Sequence, residues 1–253
     1  MRNMAEKKIA VIVPAYNEEK KVRQVINGLL KEQHLINFTI IVINDGSTDL
    51  TDEILNSYKN KIILISYKEN RGKGYALRRG SDLAYKAGFD FIIWIDGDAQ
   101  HNPPDIQRFI KALTQGYQLV IHRRIIDFQV VPQSKIGRYI VRTFFNLLFS
   151  SKIFDHISGY RAFAAEIYPK IRWRASDYRV EIEMLARAII HKISYTEIKT
   201  RTQKKLYRGI TYRDGIKILY WIVVCFIKRK YILETIWSGK RNSISLSLIR
   251  PTS

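Results

Sequence analysis

The chain has 253 residues, 46% of them apolar, which suffices for one large core or for one domain with a small appendage. Its one cysteine, Cys225, excludes an internal disulfide, and the polar residues 1–8 give no sign of a signal peptide. The net charge of +20 favours an anionic partner, which can be nucleic acid, an anionic membrane or a phosphorylated substrate.

Strand-like and helix-like segments alternate over the first 121 residues. Short apolar, β-branched runs predict strands at residues 9–13, 39–43, 61–66, 91–95 and 119–121. Apolar residues at helical spacing predict helices at about 17–31, 49–58, 73–87 and 104–114. This alternation predicts an α/β fold with a mostly parallel central sheet flanked by helices.

The pattern changes after residue 122. We predict helices at 135–149, 178–191 and 214–227, a strand at 193–198, and a loop or short strand at 158–163. In the first of these helices, three aromatic residues are expected in the core: Phe144, Phe145 and Phe149.

The apolar part of the last predicted helix, residues 216–227, is shorter than the roughly 20 residues that span a bilayer. It carries Tyr220, Trp221 and Phe226, and three basic residues follow it. The segment therefore suits a helix that lies in the membrane interface, and equally a buried helix with a solvated basic end.

Two carboxylates directly follow the strand predicted at residues 91–95. Ligands of parallel α/β sheets bind beyond the carboxyl ends of the strands, so Asp96 and Asp98 lie where a site is expected. Such close carboxylates repel each other unless a cation lies between them. The pair therefore indicates a divalent metal, and the metal indicates a substrate that carries phosphate.

Polar residues also follow the first two strands, each with a chemical and a structural interpretation. The Glu18 carboxylate is placed to meet a base or ribose, unless its segment is only a helix start capped by Asn17. Asp45 offers a free carboxylate to a base or to ribose hydroxyls, while Ser47 or Thr48 can cap the next helix.

A glycine-rich turn follows the third strand. Gly72 and Gly74 would let the backbone approach a ligand, and Arg71 or Lys73 would touch a diphosphate. The alternative is an ordinary glycine-rich turn with surface charges.

Five motifs occur in an order typical of one enzyme family. They are Val-Pro-Ala-Tyr-Asn-Glu at 13–18, Asn-Asp-Gly-Ser-Thr-Asp at 44–49, Asn-Arg-Gly-Lys-Gly at 70–74, Asp-Gly-Asp-Ala-Gln-His at 96–101 and Asp-His-Ile-Ser-Gly-Tyr-Arg-Ala-Phe at 155–163. In this order they resemble the family-2 glycosyltransferases of GT-A fold, which is Rossmann-like. Within that family they resemble the polyprenyl-phosphate glycosyltransferases, the group that includes the dolichyl-phosphate mannose synthases. The resemblance covers roughly residues 8–215.

The resemblance implies a role for several residues on the donor side. The nucleotide sugar would be held by Pro14, Ala15, Tyr16, Glu18, Asp45, Lys73 and Asp96. Asp96 and Asp98 would bind Mg²⁺ or Mn²⁺, with Gln100 as a third protein ligand. Such oxygen ligands suit a hard cation. One departure is Asn44, which stands where the family often has a first Asp.

Basic residues are implied on the acceptor side. Arg124 aligns with the arginine of the subgroup's Gly-Ser-Arg, although His122 and Arg123 replace Gly-Ser and the register could shift by one residue. The predicted acceptor-phosphate residues are Arg124, Arg138, Arg142, Lys205 and Arg208. The predicted catalytic residues are Asp98, Arg124, Arg138 and Arg208.

Four further residues have a structural interpretation that competes with a functional one. Glu181 and Glu183 either orient the acceptor site or are surface charges on a helix. His101 and His122 lack the partner spacing of a metal site and are interpreted as local hydrogen-bonding residues.

The resemblance implies an inverting, metal-dependent hexosyltransferase. It would move mannose or glucose from GDP-mannose or UDP-glucose to a polyprenyl (dolichyl) phosphate. One alternative is a transferase of the same fold with a different lipid, saccharide or protein acceptor. A distant alternative is a non-enzymatic basic module that binds RNA or a membrane, which leaves the Asp-Gly-Asp strand end unexplained. We expect no nucleic acid partner.

The expected organisation has three parts: a catalytic domain at 1–211, an amphipathic membrane-interface helix at 212–230 and a basic, flexible tail at 231–253. The enzyme is expected at the cytoplasmic face of a membrane as a peripheral protein on an anionic surface. A separate subunit could supply a membrane anchor.

Overall fold

The computed structural model describes residues 7–125, 132–200 and 212–239. The strands in these ranges are β1 (Ile9–Ala15), β2 (Thr39–Asp45), β3 (Ile63–Tyr67), β4 (Phe91–Trp94), β5 (Leu119–Arg124), β6 (Arg161–Ala164) and β7 (Tyr195–Thr200). The α-helices are α1 (Val22–Glu32), α2 (Thr51–Asn56), α3 (Lys73–Lys86), α4 (Ile106–Thr114), α5 (Pro132–Phe149), α6 (Tyr168–Ile171), α7 (Val180–Ile190), α8 (Tyr212–Ile227) and α9 (Arg229–Glu234).

The strands form a single sheet in the order β3-β2-β1-β4-β6-β5-β7. Neighbouring strands are parallel except at β6, which runs antiparallel to both β4 and β5. The predicted α/β fold with a mostly parallel central sheet is therefore confirmed. The segment predicted as a loop or short strand contributes β6, and its two antiparallel pairings leave β4 and β5 parallel to each other.

Alternation along the strands supplies a core to each face of the sheet. On one face, Ile12 and Trp94 pack with residues of α3, α5, α6, α7 and α8. On the other face, Val11 and Ile93 pack with residues of α1, α2 and α4. Because the central strands are buried on both faces, the loops at the strand ends start from fixed positions.

The first helix starts later than predicted. It begins at Val22 rather than Asn17, so Asn17 is not its cap. Asn17 instead has a positive φ of 53°, and its side-chain oxygen accepts the backbone N–H of Thr48 at 2.8 Å. The backbone N–H of Asn17 donates to the Ser47 hydroxyl at 3.0 Å, so neither Ser47 nor Thr48 caps α2 as predicted. These bonds join the loops after β1 and β2.

The expected aromatic core of α5 is present. Phe145 and Phe149 are buried and stacked on each other, and Phe144 packs against the same core. The ring of Phe149 meets Phe226 of α8 edge-on, with ring centroids 5.8 Å apart. This contact joins α8 to the main body of the protein.

Helix α8 combines the two interpretations made for it from the sequence. Ile218, Ile222 and Cys225 are buried in the core, whereas Tyr220 and Ile227 are 66% and 69% exposed. One side of the helix thus packs on the protein and the other presents apolar side chains. Within the described ranges, no helix has the length and apolar character needed to cross a bilayer.

Candidate functional site

The polar strand ends meet at one edge of the sheet. Strands β1, β2, β4 and β5 all run in the same direction, so their carboxyl ends lie at the same edge. Asp45 ends β2, Asp96 is the second residue after β4, and Arg124 ends β5. The strand order places the predicted nucleoside residues, the predicted metal residues and the predicted acceptor residues in that sequence along the edge.

Lys73, the first residue of α3, forms the centre of the site. Its ammonium lies 2.7 Å from Asp96 Oδ1 and 2.8 Å from Glu181 Oε1, and all three side chains are largely buried. Asp96 Oδ2 also lies 3.5 Å from His101 Nε2. One cation therefore joins the end of β4 to the start of α7.

Each charge in this cluster is stabilised by its neighbours. Burial lowers the pKa of Lys73, but the Asp96 and Glu181 carboxylates outweigh burial and raise that pKa above its ordinary value. Burial raises the pKa of Asp96, but Lys73 and His101 outweigh it and hold that pKa well below its usual range. Both groups are therefore charged at neutral pH.

Gly159 lies directly against this cluster. A Cβ added at Gly159 would overlap the Asp96 carboxylate and come within 2.6 Å of the Lys73 ammonium. The Ser-Gly-Tyr-Arg turn of the fifth motif therefore closes directly over the first carboxylate of the fourth.

Glu181 and Glu183 are not surface charges. Both are almost fully buried. Glu181 holds Lys73, while Glu183 accepts the backbone N–H groups of Arg174 and Ala175, each at 2.9 Å, and pairs with Arg187 at 3.0 Å. The Lys73–Glu181 pair gave no signal in the sequence because its partners are distant along the chain, whereas Glu183 and Arg187 lie at i and i+4 of one helix.

Asp98 and Gln100 form the second half of the predicted metal group. The Gln100 backbone N–H donates to Asp98 Oδ1 at 3.1 Å, and the Gln100 side-chain amide contacts Asp98 Oδ2. Among the described residues, no three His, Cys, Asp or Glu side chains gather as a metal site. Gln100 as a third protein ligand stays a prediction.

These residues fit a hard divalent cation. Asp96, Asp98 and Gln100 offer carboxylate and amide oxygens, the donors that Mg²⁺ and Mn²⁺ prefer. A metal ion at this strand end would share the Asp96 carboxylate with the Lys73 ammonium and with His101.

The sequence suggested that the Asp45 carboxylate is free, but in the structure both of its oxygens accept hydrogen bonds. Its two oxygens accept the backbone N–H groups of Arg71 at 3.0 Å and Gly72 at 2.7 Å. Asp45 thereby fixes the glycine-rich turn that leads to Lys73. Its neighbour Asn44 donates to Asp52 at 2.6 Å, which explains an amide at this position.

The glycines of that turn serve chain packing. A Cβ at Gly72 would overlap the Ser176 carbonyl, and one at Gly74 would come within 2.9 Å of the Asp177 carbonyl oxygen. The Trp173 indole N–H donates to the Gly74 carbonyl at 2.8 Å. The two glycines let this turn meet the segment before α7, and an approach of the same backbone to a ligand stays a prediction.

The predicted nucleoside residues lie at the end of β1. Pro14 and Ala15 pair with Ile43 and Asn44 of β2, and Tyr16 beyond them is 45% exposed. The backbone N–H of Glu18 donates to the Thr51 hydroxyl at 2.8 Å. Their contact with a nucleotide stays a prediction.

The structure describes three of the five predicted acceptor residues. Arg124 is buried, and its Nε lies 2.8 Å from Asp155 Oδ2. Arg138 and Arg142 lie on α5 and are partly buried. Lys205 and Arg208 lie outside the described residues. The assignment of all five to the acceptor stays a prediction.

Two buried side chains support the turn at residues 156–160. His122 bonds Ser158 Oγ and Thr200 Oγ1, each at 2.7 Å, which confirms its interpretation as a hydrogen-bonding residue. Arg161 is fully buried and donates to the carbonyls of His156, Ser158 and Glu181. A buried arginine satisfied in this way fixes the backbone on both sides of Gly159.

Comparison with known proteins identifies the family. The sequence profile described as Glycosyl transferase family 2 matches residues 10–172, more than half of the chain, and the protein belongs to this family. It is 30% identical over 246 residues to a UDP-N-acetylglucosamine–dolichyl-phosphate N-acetylglucosaminyltransferase of Methanococcus voltae, covering 87% of this chain and 97% of the relative. It is 27% identical over 220 residues to a polyprenol monophosphomannose synthase of Mycolicibacterium smegmatis, covering 82% of each chain.

The fold has solved counterparts. Glucosyl-3-phosphoglycerate synthase from Mycobacterium tuberculosis, in complex with Mg²⁺ and UDP, has a TM-score of 0.70 and 20% sequence identity, covering 89% of this chain and 80% of that one. This likeness concerns the fold alone, and it confirms the expected GT-A architecture. The family resemblance inferred from five ordered motifs is also confirmed.

We expect His122 to make stability pH-dependent. Burial lowers its pKa from 6.5 to about 3, so between these values the unfolded chain binds a proton that the folded protein excludes. Stability should therefore fall as pH falls from 7 to 5, with His122 contributing about 2 kcal/mol of the loss. Urea unfolding of wild type and His122→Gln at both pH values measures this, and the variant should lose correspondingly less.

The matched control is His34→Gln, which removes an exposed histidine and should keep the wild-type difference. If the free energy of unfolding falls equally with pH in His122→Gln and in wild type, His122 is protonated to the same extent in the folded and unfolded states, which would contradict the prediction.

Proposed function

We propose that the enzyme transfers a sugar from a nucleoside diphosphate sugar to a polyprenyl phosphate. The observation that carries the proposal is the strand end where Asp96 and Asp98 follow β4, with Asp45 and Arg124 at the same sheet edge. The names of the two relatives described above support this proposal. One is named for dolichyl phosphate and the other for polyprenol monophosphomannose.

A divalent cation would be held by Asp96, Asp98 and Gln100. Bound there, Mg²⁺ or Mn²⁺ supplies a Lewis acid for the diphosphate leaving group. The Lys73 ammonium, shared by Asp96 and Glu181, would hold the Asp96 carboxylate in place for the metal. The Mycobacterium tuberculosis synthase with Mg²⁺ and UDP supports this use of metal by a protein of the same fold.

The acceptor needs orientation more than activation. A phosphomonoester has a second pKa near 6, so it is largely a dianion at neutral pH and needs no strong general base. Attack of one of its oxygens on the anomeric carbon forms the new C–O bond while the bond to the nucleoside diphosphate breaks. Two phosphate groups of like charge must then lie close together, and in this proposal the arginines at the end of β5 and on α5 stabilise them.

We propose that the donor is a nucleotide sugar that carries a hexose, and the sequence led us to expect mannose or glucose as this hexose. The relatives differ in the sugar they are named for, since one carries N-acetylglucosamine and another mannose. A donor panel must therefore include GDP-mannose, UDP-glucose and UDP-N-acetylglucosamine. The second candidate, a transferase with another acceptor, is favoured only by the solved synthase, which is named for phosphoglycerate.

We expect Asp98→Asn to lower sugar transfer at least about 100-fold, because it removes a negatively charged oxygen donor from the metal group. The measurement is transfer of radiolabelled sugar from each donor to a short-chain polyprenyl phosphate, with and without Mn²⁺. A polyprenyl alcohol and phosphoglycerate serve as alternative acceptors.

Glu53→Gln, an exposed carboxylate on α2, is the matched control and should keep full activity. Transfer to the alcohol or to phosphoglycerate, and not to the polyprenyl phosphate, would overturn the proposed acceptor. Full metal-free activity in Asp98→Asn would overturn the role of the strand end.

We further propose that the exposed face of α8 and α9 lies on a membrane. Tyr220, Ile227, Tyr231 and Leu233 are between 47% and 69% exposed, and the basic residues 228–230 lie between them. Apolar side chains beside cations are typical of helices in the interface of anionic membranes. In this proposal the protein is peripheral at the cytoplasmic face of a membrane. Residues 212–230 form the membrane-interface helix that follows a catalytic domain at 1–211. A separate subunit could supply a membrane anchor. Residues 231–234 of the tail expected at 231–253 belong to α9 in the structure, and residues 240–253 lie outside the described residues.

We expect the double variant Tyr220→Ser, Ile227→Ser to weaken binding to anionic vesicles about tenfold or more, because two apolar contacts with the acyl region are lost. Cosedimentation with phosphatidylglycerol vesicles measures the affinity. Leu35→Ser removes an apolar side chain that is 70% exposed elsewhere and should leave binding unchanged. Equal losses in both variants would contradict a specific membrane face.

A further inference from the structure

An exposed tyrosine ring borders the charged cluster of the site. Tyr178 lies in the turn just before α7, and 70% of its surface is exposed. The Lys73 ammonium, which bonds Asp96 and Glu181, lies 5.8 Å from the centroid of the Tyr178 ring. The ring therefore adjoins the cluster and still offers a large apolar surface to a ligand.

The backbone on both sides of Tyr178 is fixed by the protein. The Ser176 carbonyl accepts the backbone N–H of Tyr75 at 3.1 Å. Asp177 accepts the backbone N–H of Val180 through its carbonyl at 3.2 Å and that of Arg179 through its side chain at 3.0 Å. The exposed ring thus stands on an ordered turn, so its place beside the cluster is set before a ligand binds.

The charges around the Tyr178 hydroxyl group show which part of the site the ring adjoins. Partial burial is the first cause that raises the pKa of Tyr178, and the Lys73 ammonium opposes it. The Asp96, Glu181 and Glu18 carboxylates also raise this pKa, in that order. The first two belong to the cluster around Lys73, whereas Glu18 follows β1 on the predicted nucleoside side. The ring therefore adjoins the strand end proposed to hold the metal and the diphosphate.

One carboxylate oxygen of the same cluster lacks a partner. Glu181 Oε1 bonds Lys73, whereas Glu181 Oε2 is buried and accepts no hydrogen bond from the residues that the structure describes. A buried polar atom without a hydrogen bond is costly. A ligand that donates hydroxyl groups at this place would satisfy it.

A sugar has the chemistry that suits an aromatic ring beside a carboxylate oxygen. A hexopyranose carries C–H groups on its faces and hydroxyl groups around its rim, so it can pack on an aromatic ring and donate hydrogen bonds as well. Ligand pockets typically combine aromatic walls with a few polar groups in this way. In a nucleoside diphosphate sugar whose diphosphate lies beside Asp96, the sugar adjoins the same strand end.

We propose that the Tyr178 ring forms the wall against which the sugar of the donor packs. Tyr178 is then a specificity-determining residue, because it recognises the part of the donor that a nucleoside diphosphate lacks. This inference rests on the proposed function and locates the sugar of its donor.

The test is isothermal titration calorimetry with Mn²⁺ and without an acceptor. The nucleotide sugar is whichever of GDP-mannose, UDP-glucose and UDP-N-acetylglucosamine the wild type binds most tightly, and GDP or UDP is the matching ligand without sugar. Tyr178→Ala should raise the Kd for the nucleotide sugar roughly fivefold to tenfold, because the packing surface is lost, and leave the Kd for the nucleoside diphosphate within about twofold of wild type.

Two further variants separate the ring from its hydroxyl group and from a general effect of removing a tyrosine. Tyr178→Phe keeps the ring and should bind both ligands as wild type. Tyr117→Ala removes a tyrosine that is 41% exposed just before β5, at the opposite edge of the sheet, and should also bind as wild type.

The outcomes distinguish this inference from the proposed function. An unchanged Kd for the nucleotide sugar in Tyr178→Ala would overturn the inference and leave the proposed function intact. Equal weakening of both ligands would assign the ring to the nucleotide, and a loss in Tyr178→Phe as large as in Tyr178→Ala would assign binding to the hydroxyl group; either result would overturn the packing role. No binding of the three nucleotide sugars by the wild type would overturn the proposed donor and this inference with it.

Discussion

The site depends on one buried ammonium shared by two carboxylates. Lys73 joins Asp96 to Glu181, and thereby joins the end of β4, the start of α3 and the start of α7. Each partner alone would be a costly buried charge, whereas together they are mutually stabilised. Gly159 closes the turn of the fifth motif over this cluster, so the loop next to the acceptor side is positioned by the same charges that order the donor side.

The basic character of the protein follows from what its two proposed substrates share. Donor and acceptor both carry phosphate, and their approach requires positive charge between and around them. The structure supplies that charge in two forms: Lys73 and Arg124 are already neutralised by carboxylates, while Arg123 and Arg142 are stacked on an aromatic ring. The first pair orders the polypeptide, and the second pair is oriented by the ring.

The sequence predicted those features that depend on local patterns. Unbroken β-branched runs located the central strands, and the abrupt change at Asp96 located the site, because a buried parallel strand ends at the ligand edge of its sheet. Features set by distant contacts were not predictable. Asn17 resembles a helix cap but joins two loops, and Glu181 resembles a surface charge but neutralises Lys73. The glycines at 72 and 74 indicate close approach correctly, but the approaching group is the segment before α7.

The central claim is that the turn at Gly159, the Asp96 carboxylate and the Lys73 ammonium act as one unit in donor binding. The most direct measurement is the Mn²⁺-dependent affinity of Gly159→Ala for the nucleoside diphosphate of whichever donor the wild type uses in the panel, since the added methyl overlaps Asp96 and crowds Lys73. Gly137→Ala, where a Cβ meets nothing within 4 Å, is the control. The account predicts that Gly159→Ala stays folded, as shown by cooperative unfolding, but binds this nucleoside diphosphate with Mn²⁺ at least about tenfold more weakly, while Gly137→Ala binds normally. Wild-type affinity in Gly159→Ala would contradict it.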